Sequence, residues 1–272
     1  MTILVSNVED WIVPHLKSTF EIEYFHRLSH SNIDSFSQDK TLLISFENIN
    51  EFSEIGSISD ILNLVSKMKL LKKIIYLSSY GVYYPKNDPY KELDRVSPMN
   101  LVGVKAAMLE DVLIYLARRF NLNLTILRLF NVYGPFQISP YIIPTILEKI
   151  VLGGTITIGD YQKVRDFIYI SDFVEIIKLI NEKTDNGLEI YNVGCGTGYS
   201  IHDLIDLSQR ITENRCNVLF DATKLREEYD YDYAVADISK IKKELNWQPK
   251  IDLKMGLSLT YQWILGRSGK NV

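Results

Sequence analysis

The chain of 272 residues is 46% hydrophobic and carries a formal net charge of −4, which favours a full hydrophobic core in one large domain or two interleaved ones. This acidic balance argues against nucleic acid or an anionic membrane as the main partner. Two cysteines cannot make a disulfide framework, and no histidine or cysteine is spaced like a zinc ligand set, so we expect no metal site.

The N-terminal residues predict a strand over 3–6 and a helix starting at 11, joined by a tight turn. There is no basic leader and no apolar run of membrane-spanning length, which predicts a cytoplasmic protein. A dinucleotide fold needs glycines in this turn so that the backbone can approach a pyrophosphate, and none is present. Glu9 and Asp10 are instead expected to cap the helix, where they would repel a pyrophosphate.

The next segments predict an open sheet. Residues 21–25 and 41–46 are typical of strands, and the polar interval between them is too short for a helix and another strand. The sheet is therefore expected to lack one βα unit. Residues 60–71 form a predicted amphipathic helix, and residues 73–79 form the next strand.

The helix predicted over 99–120 has an apolar arc wide enough to need cover on two sides, from the sheet and from a second subunit. Lys105 lies within this arc, and its spacing alone favours a lysine whose head group reaches solvent. After it, residues 125–130 predict a buried strand that ends at Asn131. Ligands of open α/β sheets bind beyond such strand ends, so Asn131 is a candidate ligand donor; the alternative is a turn cap.

The second half predicts helices over 140–152, 172–181, 201–212, 237–247 and 253–265, and strands over 155–159 and 166–170. The stretch IYNVGCGTG at 190–198 is also typical of methyltransferases that use S-adenosylmethionine. Too little chain follows it to build the rest of such a sheet, so this function is disfavoured.

Six motifs are shared with a known family: YLSSYGVYYP (76–85), SPMNLVGVK (97–105), ILRLFNVYGP (126–135), QKVRDFIYISD (162–172), YNVGCGTG (191–198) and LNWQP (245–249). Together they resemble the extended short-chain dehydrogenase/reductases, and among them the nucleotide-sugar epimerases and dehydratases. The resemblance implies a Rossmann-like α/β domain with a doubly wound parallel sheet over 1–130, completed by segments around 166–195. It also implies a smaller substrate-binding domain, mainly over 131–272.

The resemblance implies hydride transfer between NAD and a sugar, with a Ser or Thr, a Tyr as acid/base and a Lys that lowers the Tyr pKa. Ser79 and Lys105 match this pattern, but the Tyr position is Leu101, whose alkyl chain cannot move a proton. The candidate substitutes are Tyr80, Tyr83, Tyr84 and Tyr90.

The cofactor positions of the family depart from its pattern as well. Its three glycines are matched by Asn7, Asp10 and Val13, and its ribose-binding acid is matched by His26. We therefore expect no cofactor, and NAD(P) is expected under the alternative that the enzyme is active.

The positions that handle the nucleotide-sugar are kept. The resemblance implies that Asn131, Arg165 and Arg226 bind this ligand, because a planar guanidinium suits bidentate phosphate contacts. The alternative is that each arginine pairs with a surface acid such as Asp160 or Glu227.

Two hypotheses follow. The first is a degenerate family member that binds a nucleotide-sugar and acts as a regulatory or scaffold subunit in carbohydrate biosynthesis without turnover. The alternative is an active NAD(P)-dependent epimerase, dehydratase or reductase with an atypical cofactor turn and a substitute tyrosine. Under either, helices 60–71 and 99–120 are expected to form a homodimer, or a heterodimer with an active paralogue.

Overall fold

The computed structural model describes residues 2–6, 8–24, 40–45, 72–184, 187–213, 216–221 and 231–268. The chain groups into two units. The first comprises Met1–Tyr83, Arg95–Leu129 and Val174–Tyr191, and the second comprises Tyr84–Asp94, Phe130–Phe173 and Asn192–Val272. This grouping differs from the predicted division at residue 130 chiefly in residues 84–94, which belong to the second unit.

The strands are β1 (Thr2–Ser6), β2 (Glu21–Tyr24), β3 (Thr41–Ser45), β4 (Lys73–Ser79), β5 (Leu124–Leu129), β6 (Asn131–Tyr133), β7 (Thr155–Ile158), β8 (Val164–Tyr169), β9 (Leu188–Val193), β10 (Gly198–Ser200), β11 (Asn217–Phe220) and β12 (Tyr233–Ala234). The helices are α1 (Val13–Lys17), α2 (Leu101–Phe120), α3 (Ile142–Leu152), α4 (Ile170–Glu182), α5 (Ile201–Thr212), α6 (Ser239–Leu245) and α7 (Leu253–Ser268).

The described part of the first unit contains a six-stranded sheet in the order β2-β1-β3-β4-β5-β9. The pairs β1–β2, β1–β3, β3–β4 and β4–β5 are parallel. All residues of β3, β4 and β5 are buried, as expected for parallel strands covered on both faces. This architecture confirms the predicted Rossmann-like α/β fold. The predicted loss of a βα unit and the predicted helix 60–71 lie outside the described residues.

Helix α2 covers one face of this sheet. Its buried side chains pack on β3, β4 and β5 in one apolar cluster, formed by Leu42, Ile44, Ile74, Tyr76, Leu109, Leu113, Leu116, Ala117, Leu124 and Ile126. Each fully buried aliphatic side chain of this kind contributes about 1.5 to 3 kcal/mol. The opposite side of α2 carries exposed apolar residues, among them Met108 and Tyr115, so one side of the predicted two-sided apolar arc is covered within the unit.

The second unit is centred on β8. This strand pairs in parallel with β6 and β12 and antiparallel with β10, while β7 and β11 form a separate parallel pair. Helices α3, α5 and α7 pack against one another. The β6–β8 pairing puts Asn131 opposite Phe167, two residues after Arg165, so residues far apart in sequence are brought together on neighbouring strands.

Candidate functional site

Ser79 ends the buried strand β4 and opens a short 3-10 turn, Tyr80–Val82. The Ser79 Oγ accepts a hydrogen bond from the backbone N–H of Gly81 at 3.1 Å. The turn lies against the first turn of α2, because a Cβ built on Gly103 would be 1.9 Å from the carbonyl oxygen of Gly81. Glycine at 103 thus permits a backbone approach that fixes Ser79 beside the helix N-terminus.

Leu101 is the first residue of α2, and Asn100 caps this helix by accepting from the N–H of Gly103 at 2.9 Å. The Leu101 side chain is 45% exposed and lies outside the buried stripe of the helix. Lys105, one turn later, is half-buried. Residues 99–105 contain no tyrosine, so the first turn of α2 offers a serine neighbour and a lysine but no phenol to transfer a proton.

Two of the four candidate substitute tyrosines are engaged elsewhere. Tyr83 is fully buried, and the Arg128 guanidinium lies 4.8 Å from its ring centroid. Tyr90 is also fully buried, and its hydroxyl accepts from the N–H of Lys86 at 2.9 Å. Because a buried phenol with fixed partners cannot reach a substrate, only Tyr80 and Tyr84 remain candidates.

A buried ion pair supports β4 and was missed in the sequence. Glu110 on α2 and Arg128 on β5 are 2% and 3% exposed, and Arg128 Nη2 donates to Glu110 Oε2 at 2.6 Å while Nε donates to Oε1 at 3.0 Å. Ser78 Oγ also donates to Glu110 Oε1, at 2.6 Å. Burial disfavours the charged guanidinium, but the hydrogen bond to Glu110 and the proximity of Tyr83 raise the pKa of Arg128. The sequence signal for this pair was a charged residue within each of two largely apolar segments, Glu110 in α2 and Arg128 in β5.

The turn after β1 differs from its prediction. Helix α1 begins at Val13, its N-cap is Ile12, and no side chain caps it. The Glu9 carboxylate instead accepts from the indole N–H of Trp11, so the prediction that Glu9 and Asp10 cap this helix was wrong. The reason is local, because Trp11 holds the carboxylate before the helix starts.

This turn does not suit the pyrophosphate of NAD. Residues 8–13, all described, include no glycine, and none of them has positive φ. Val8 and Val13 are buried, and Asp10 is exposed. Side chains therefore stand where a dinucleotide needs open backbone N–H groups. The family positions Asn7 and His26 lie outside the described residues.

The predicted ligand residues Asn131 and Arg165 are neighbours in the second unit. Asn131 Nδ2 donates to the backbone carbonyl of Asp166 at 2.9 Å. Arg165 lies within β8, not before it as predicted, and is 7% exposed with Nη1 donating to the carbonyl of Val164 at 2.9 Å. A largely buried arginine does not fit the alternative of a surface ion pair. Arg226 lies outside the described residues.

Asp166, next to Arg165, holds this region together and was not singled out in the sequence. Its fully buried carboxylate accepts from the backbone N–H groups of Cys195 at 2.7 Å, Gly196 at 2.9 Å and Ala236 at 3.1 Å. Burial raises the pKa of Asp166, and these donors oppose that shift. A Cβ on Gly194 would be 2.5 Å from Asp166 Oδ2. The glycine-rich stretch thus accommodates this carboxylate, and the methyltransferase hypothesis loses its motif.

The part of the chain that the structure describes has neither a candidate metal site nor a membrane-spanning helix. There is no group of three or more His, Cys, Asp or Glu side chains that could hold a metal ion. Among the described helices, none combines the length and the hydropathy needed to cross a bilayer.

The geometry thus defines a Rossmann-like protein with a serine at the end of β4 and a buried arginine in its second unit. Residues 45–194, more than half of the chain, match the family model described as the NAD dependent epimerase/dehydratase family. The chain belongs to this family, which confirms the predicted resemblance.

Three similar proteins illustrate the match. A putative UDP-glucose 4-epimerase of Methanocaldococcus jannaschii is 28% identical over 79% of this chain and 69% of its own length. A UDP-glucuronate 4-epimerase of Thermodesulfobacterium geofontis is 31% identical over 76% of this chain and 64% of its own length. The structure of UDP-glucuronic acid 4-epimerase from Bacillus cereus with UDP-glucuronic acid and NAD superposes with a TM-score of 0.83 at 22% identity, over 98% of this chain and 100% of that one.

The structural likeness shows the shared fold. The aligned region spans 53% to 69% of the lengths of curated relatives such as these. The activities in their names are properties of those proteins.

Proposed function

We propose that this protein binds a nucleotide-sugar through its second unit and does not carry out NAD-dependent turnover. It would act as a binding or regulatory subunit in carbohydrate biosynthesis. The observation that carries the proposal is the retained buried Arg165 on β8, the strand that pairs with β6 at Asn131, in a chain whose acid/base position is the exposed Leu101.

A buried arginine suits a diphosphate for two reasons. Its guanidinium stays charged, and a desolvated site strengthens charge-assisted hydrogen bonds to phosphate oxygens. The carboxylate of the next residue, Asp166, accepts three backbone hydrogen bonds from other segments. Arg165 therefore lies on an ordered strand, and less conformational entropy is lost on binding.

The absence of turnover is proposed on chemical grounds. The turn over residues 8–13 has no glycine, and the matched family region starts at residue 45, after this turn. Without a hydride carrier, the Ser79 hydroxyl and the Lys105 ammonium have no redox reaction to assist. The roles of Ser79, Lys105, Asn131, Arg165 and Arg226 remain predictions.

The second candidate is an active NAD(P)-dependent epimerase, dehydratase or reductase, and the comparisons favour it. The relatives' names describe epimerases and a reductase, and similar solved structures contain NAD. In this case Tyr80 or Tyr84 would replace the missing phenol.

Native mass spectrometry of the purified protein separates these candidates. If the protein binds a nucleotide-sugar without turnover, its mass should equal that of the chain, with no copurified dinucleotide and none retained after incubation with NAD. NAD at near-stoichiometric occupancy would refute the absence of turnover and favour the second candidate, without affecting nucleotide-sugar binding.

Thermal unfolding tests the binding proposal itself. A ligand held by the native state at one hundred times its Kd adds about 2.7 kcal/mol, and each kcal/mol moves the Tm of a chain of this size by about 2 to 4 °C. A saturating UDP-, GDP-, TDP- or CDP-sugar should therefore raise the Tm by several degrees, whereas NAD and NADP should not.

Arginine variants identify the site. Arg165→Ala and Arg226→Ala should each remove most of the shift, because charge-assisted hydrogen bonds contribute about 1.5 to 3 kcal/mol. Arg210→Ala is the matched control, since this arginine is 74% exposed in a surface pair with Asp206 and should leave the shift unchanged. If no nucleotide-sugar moves the Tm of the folded protein, the second unit has no working site and a scaffold role alone remains.

We propose a dimer that forms through the exposed apolar side of α2. Leu101, Val102, Met108 and Tyr115 are each between 45% and 63% exposed there, and such a surface favours a helix-mediated homodimer or a heterodimer with an active paralogue. Light scattering that gives a monomer at micromolar concentration would exclude the homodimer. The cytoplasmic location stays a prediction from the sequence.

A further inference from the structure

A cleft in the second unit lies outside the nucleotide-sugar residues. It has a volume of about 570 Å³ and is lined by Phe136, Trp263, Gly266 and Arg267. The ring centroids of Phe136 and Trp263 are 5.3 Å apart, and the Arg267 guanidinium lies 5.6 Å from the Trp263 ring centroid. Neither Asn131 nor Arg165, the described residues of the proposed nucleotide-sugar site, lines it.

Phe136 is held in this cleft in an unfavourable backbone conformation. Its φ is +68°, and its side chain is 46% exposed. For a bulky residue the left-handed region costs about 1 to 3 kcal/mol, and such strain concentrates at functional sites. The Phe136 ring is not buried, so packing in the core does not compensate for this backbone strain.

The neighbouring residues enforce the conformation of Phe136. Gln137 is buried, and its Nε2 donates to the carbonyl of Val132 at 3.1 Å. On the other side, a Cβ on Gly134 would be 2.5 Å from Ile170 Cγ2, so the chain passes close to α4. The turn is therefore fixed at both ends, and the aromatic ring is presented at the cleft.

Arg267 provides the polar part of the cleft. It is exposed, and no carboxylate among the described residues forms an ion pair with it. A guanidinium stacked on an aromatic ring keeps its in-plane N–H donors available for a carboxylate, sulfonate or phosphate. The rest of the lining is two aromatic rings and a glycine, beside which an added Cβ would meet nothing within 4 Å.

We infer that this cleft binds a small amphipathic anion, with a planar or acyl apolar body against Phe136 and Trp263 and its acidic group on Arg267. The volume falls in the range of about 300 to 1,000 Å³ that is usual for small-molecule sites. The four described lining residues form a much smaller surface than a stable protein interface, which takes roughly 20 to 30 residues on each side. Because Arg267 forms no ion pair with a described residue, its guanidinium selects an anion over a neutral ligand.

A matched pair of fluorescent probes tests the inference. 8-Anilinonaphthalene-1-sulfonate and N-phenyl-1-naphthylamine share their ring system, but only the first is anionic. We expect the sulfonate to bind the native protein with one-to-one stoichiometry and to quench tryptophan fluorescence, with an affinity at least about tenfold higher than that of the neutral probe. Equal affinities would overturn the role of Arg267.

Three variants locate the probe. Gly266→Leu fills the cleft and should weaken sulfonate binding by about tenfold or more, since it removes the space for the apolar body. Arg267→Gln should weaken it by about tenfold while leaving the neutral probe unaffected. Lys243→Gln removes an exposed charge on α6 and should change nothing. Near-ultraviolet circular dichroism and the Tm should match the wild type in all three, which separates loss of the site from loss of the fold.

Two results would overturn the proposal. One is an unchanged sulfonate affinity in both Gly266→Leu and Arg267→Gln, which would put the probe elsewhere. The other is a change of oligomeric state in Gly266→Leu by light scattering, which would make the cleft a contact between protein chains.

Discussion

The turn after β1 in the first unit and strand β8 in the second unit have comparable tasks in the family, since the resemblance assigns cofactor phosphates to one and substrate phosphates to the other. In the turn, Val8 is buried, Glu9 is bonded to Trp11, and residues 8–13 include no glycine. In β8, Arg165 is retained, and the adjacent Asp166 binds three backbone N–H groups. Under the proposed function, the residues for the cofactor would be lost, whereas those for the nucleotide-sugar would remain on an ordered strand.

The difference does not extend to the folded framework. The first unit keeps the ion pair between Glu110 and Arg128, as well as the close approach of Gly81 and Gly103. These features hold the end of β4 and the start of α2 in place. The packing of a unit can therefore persist whether or not its ligand site is kept, because function depends on individual residues placed on the fold.

The largest expected effect breaks the framework of the first unit. Glu110→Ala leaves the Arg128 guanidinium charged and buried without its carboxylate, which should lower the free energy of unfolding by about 3 to 5 kcal/mol. Urea denaturation measures this change. The double variant Glu110→Leu/Arg128→Met is the control, since an apolar pair of similar volume should recover most of the loss. A loss below about 1 kcal/mol in Glu110→Ala would mean that the pair is not buried as described.

A second expected effect concerns Lys73, the first residue of β4. It is 1% exposed, and its Nζ donates to the carbonyls of Ile180 and Lys183 near the end of α4. Burial, with Lys72 and Lys183 nearby, lowers the pKa of Lys73 from 10.5 to about 8. Between these values the unfolded chain holds more protons than the folded one, so the stability should rise with pH.

The rise should amount to roughly 1 to 3 kcal/mol between pH 8 and pH 10.5. It is measured as the difference in urea-unfolding free energy between the wild type and Lys73→Met across this range, because other groups titrate alike in both proteins. Lys72→Met removes one neighbouring charge and should keep most of the rise, because burial is the larger cause of the lowered pKa of Lys73. Parallel pH profiles for the wild type and Lys73→Met would contradict the lowered pKa.

The fold could be predicted because its elements have strong local patterns. Strand β4 and helix α5 have their predicted bounds, and α2 ends at Phe120 as predicted. Helix α1 was misjudged, since the contact of Trp11 with Glu9 delays its start. A side-chain contact of this kind leaves no periodic signal in the sequence.

The candidate site was predicted in part for the same reason. The motifs make Asn131 and Arg165 candidate ligand residues, whereas the role of Asp166 depends on partners 29, 30 and 70 residues away in the chain. The conformation of Phe136 likewise depends on contacts with β6 and α4. Such non-local contacts are set by strand pairing and helix packing, which residue patterns do not reveal.

Two glycine variants sharpen the comparison between the units. Gly103→Ala would put a Cβ 1.9 Å from the carbonyl oxygen of Gly81, and Gly194→Ala would put one 2.5 Å from Asp166 Oδ2. Overpacking of this kind costs about 1 to 3 kcal/mol, so both variants should lower the Tm. Only Gly194→Ala should weaken nucleotide-sugar binding, since it displaces the carboxylate beside Arg165.

Calorimetric titration with a UDP-sugar at a temperature where both variants are folded gives the measurement. An unchanged Kd in Gly103→Ala, with a Kd raised about tenfold or more in Gly194→Ala, is the expected result. If Gly103→Ala weakens binding as much as Gly194→Ala, the end of β4 still takes part in ligand binding.

The smallest expected effect is that of Leu101→Tyr, which should change neither the stability nor the activity. Leu101→Tyr restores a phenol four residues before Lys105, on the same side of α2. The side chain is 45% exposed, so the change should leave the stability within about 0.5 kcal/mol of the wild type. No NAD-linked conversion of a nucleotide-sugar should appear if, as proposed, the glycine-free turn over residues 8–13 does not hold the hydride carrier. Val102→Tyr is the geometric control, because it places the phenol about 100° further around the helix.

Both variants should be inactive when assayed for NADH formation and for sugar products by mass spectrometry. Turnover in either single variant would show that the cofactor still binds. The proposed loss of the cofactor site in the first unit would then be wrong.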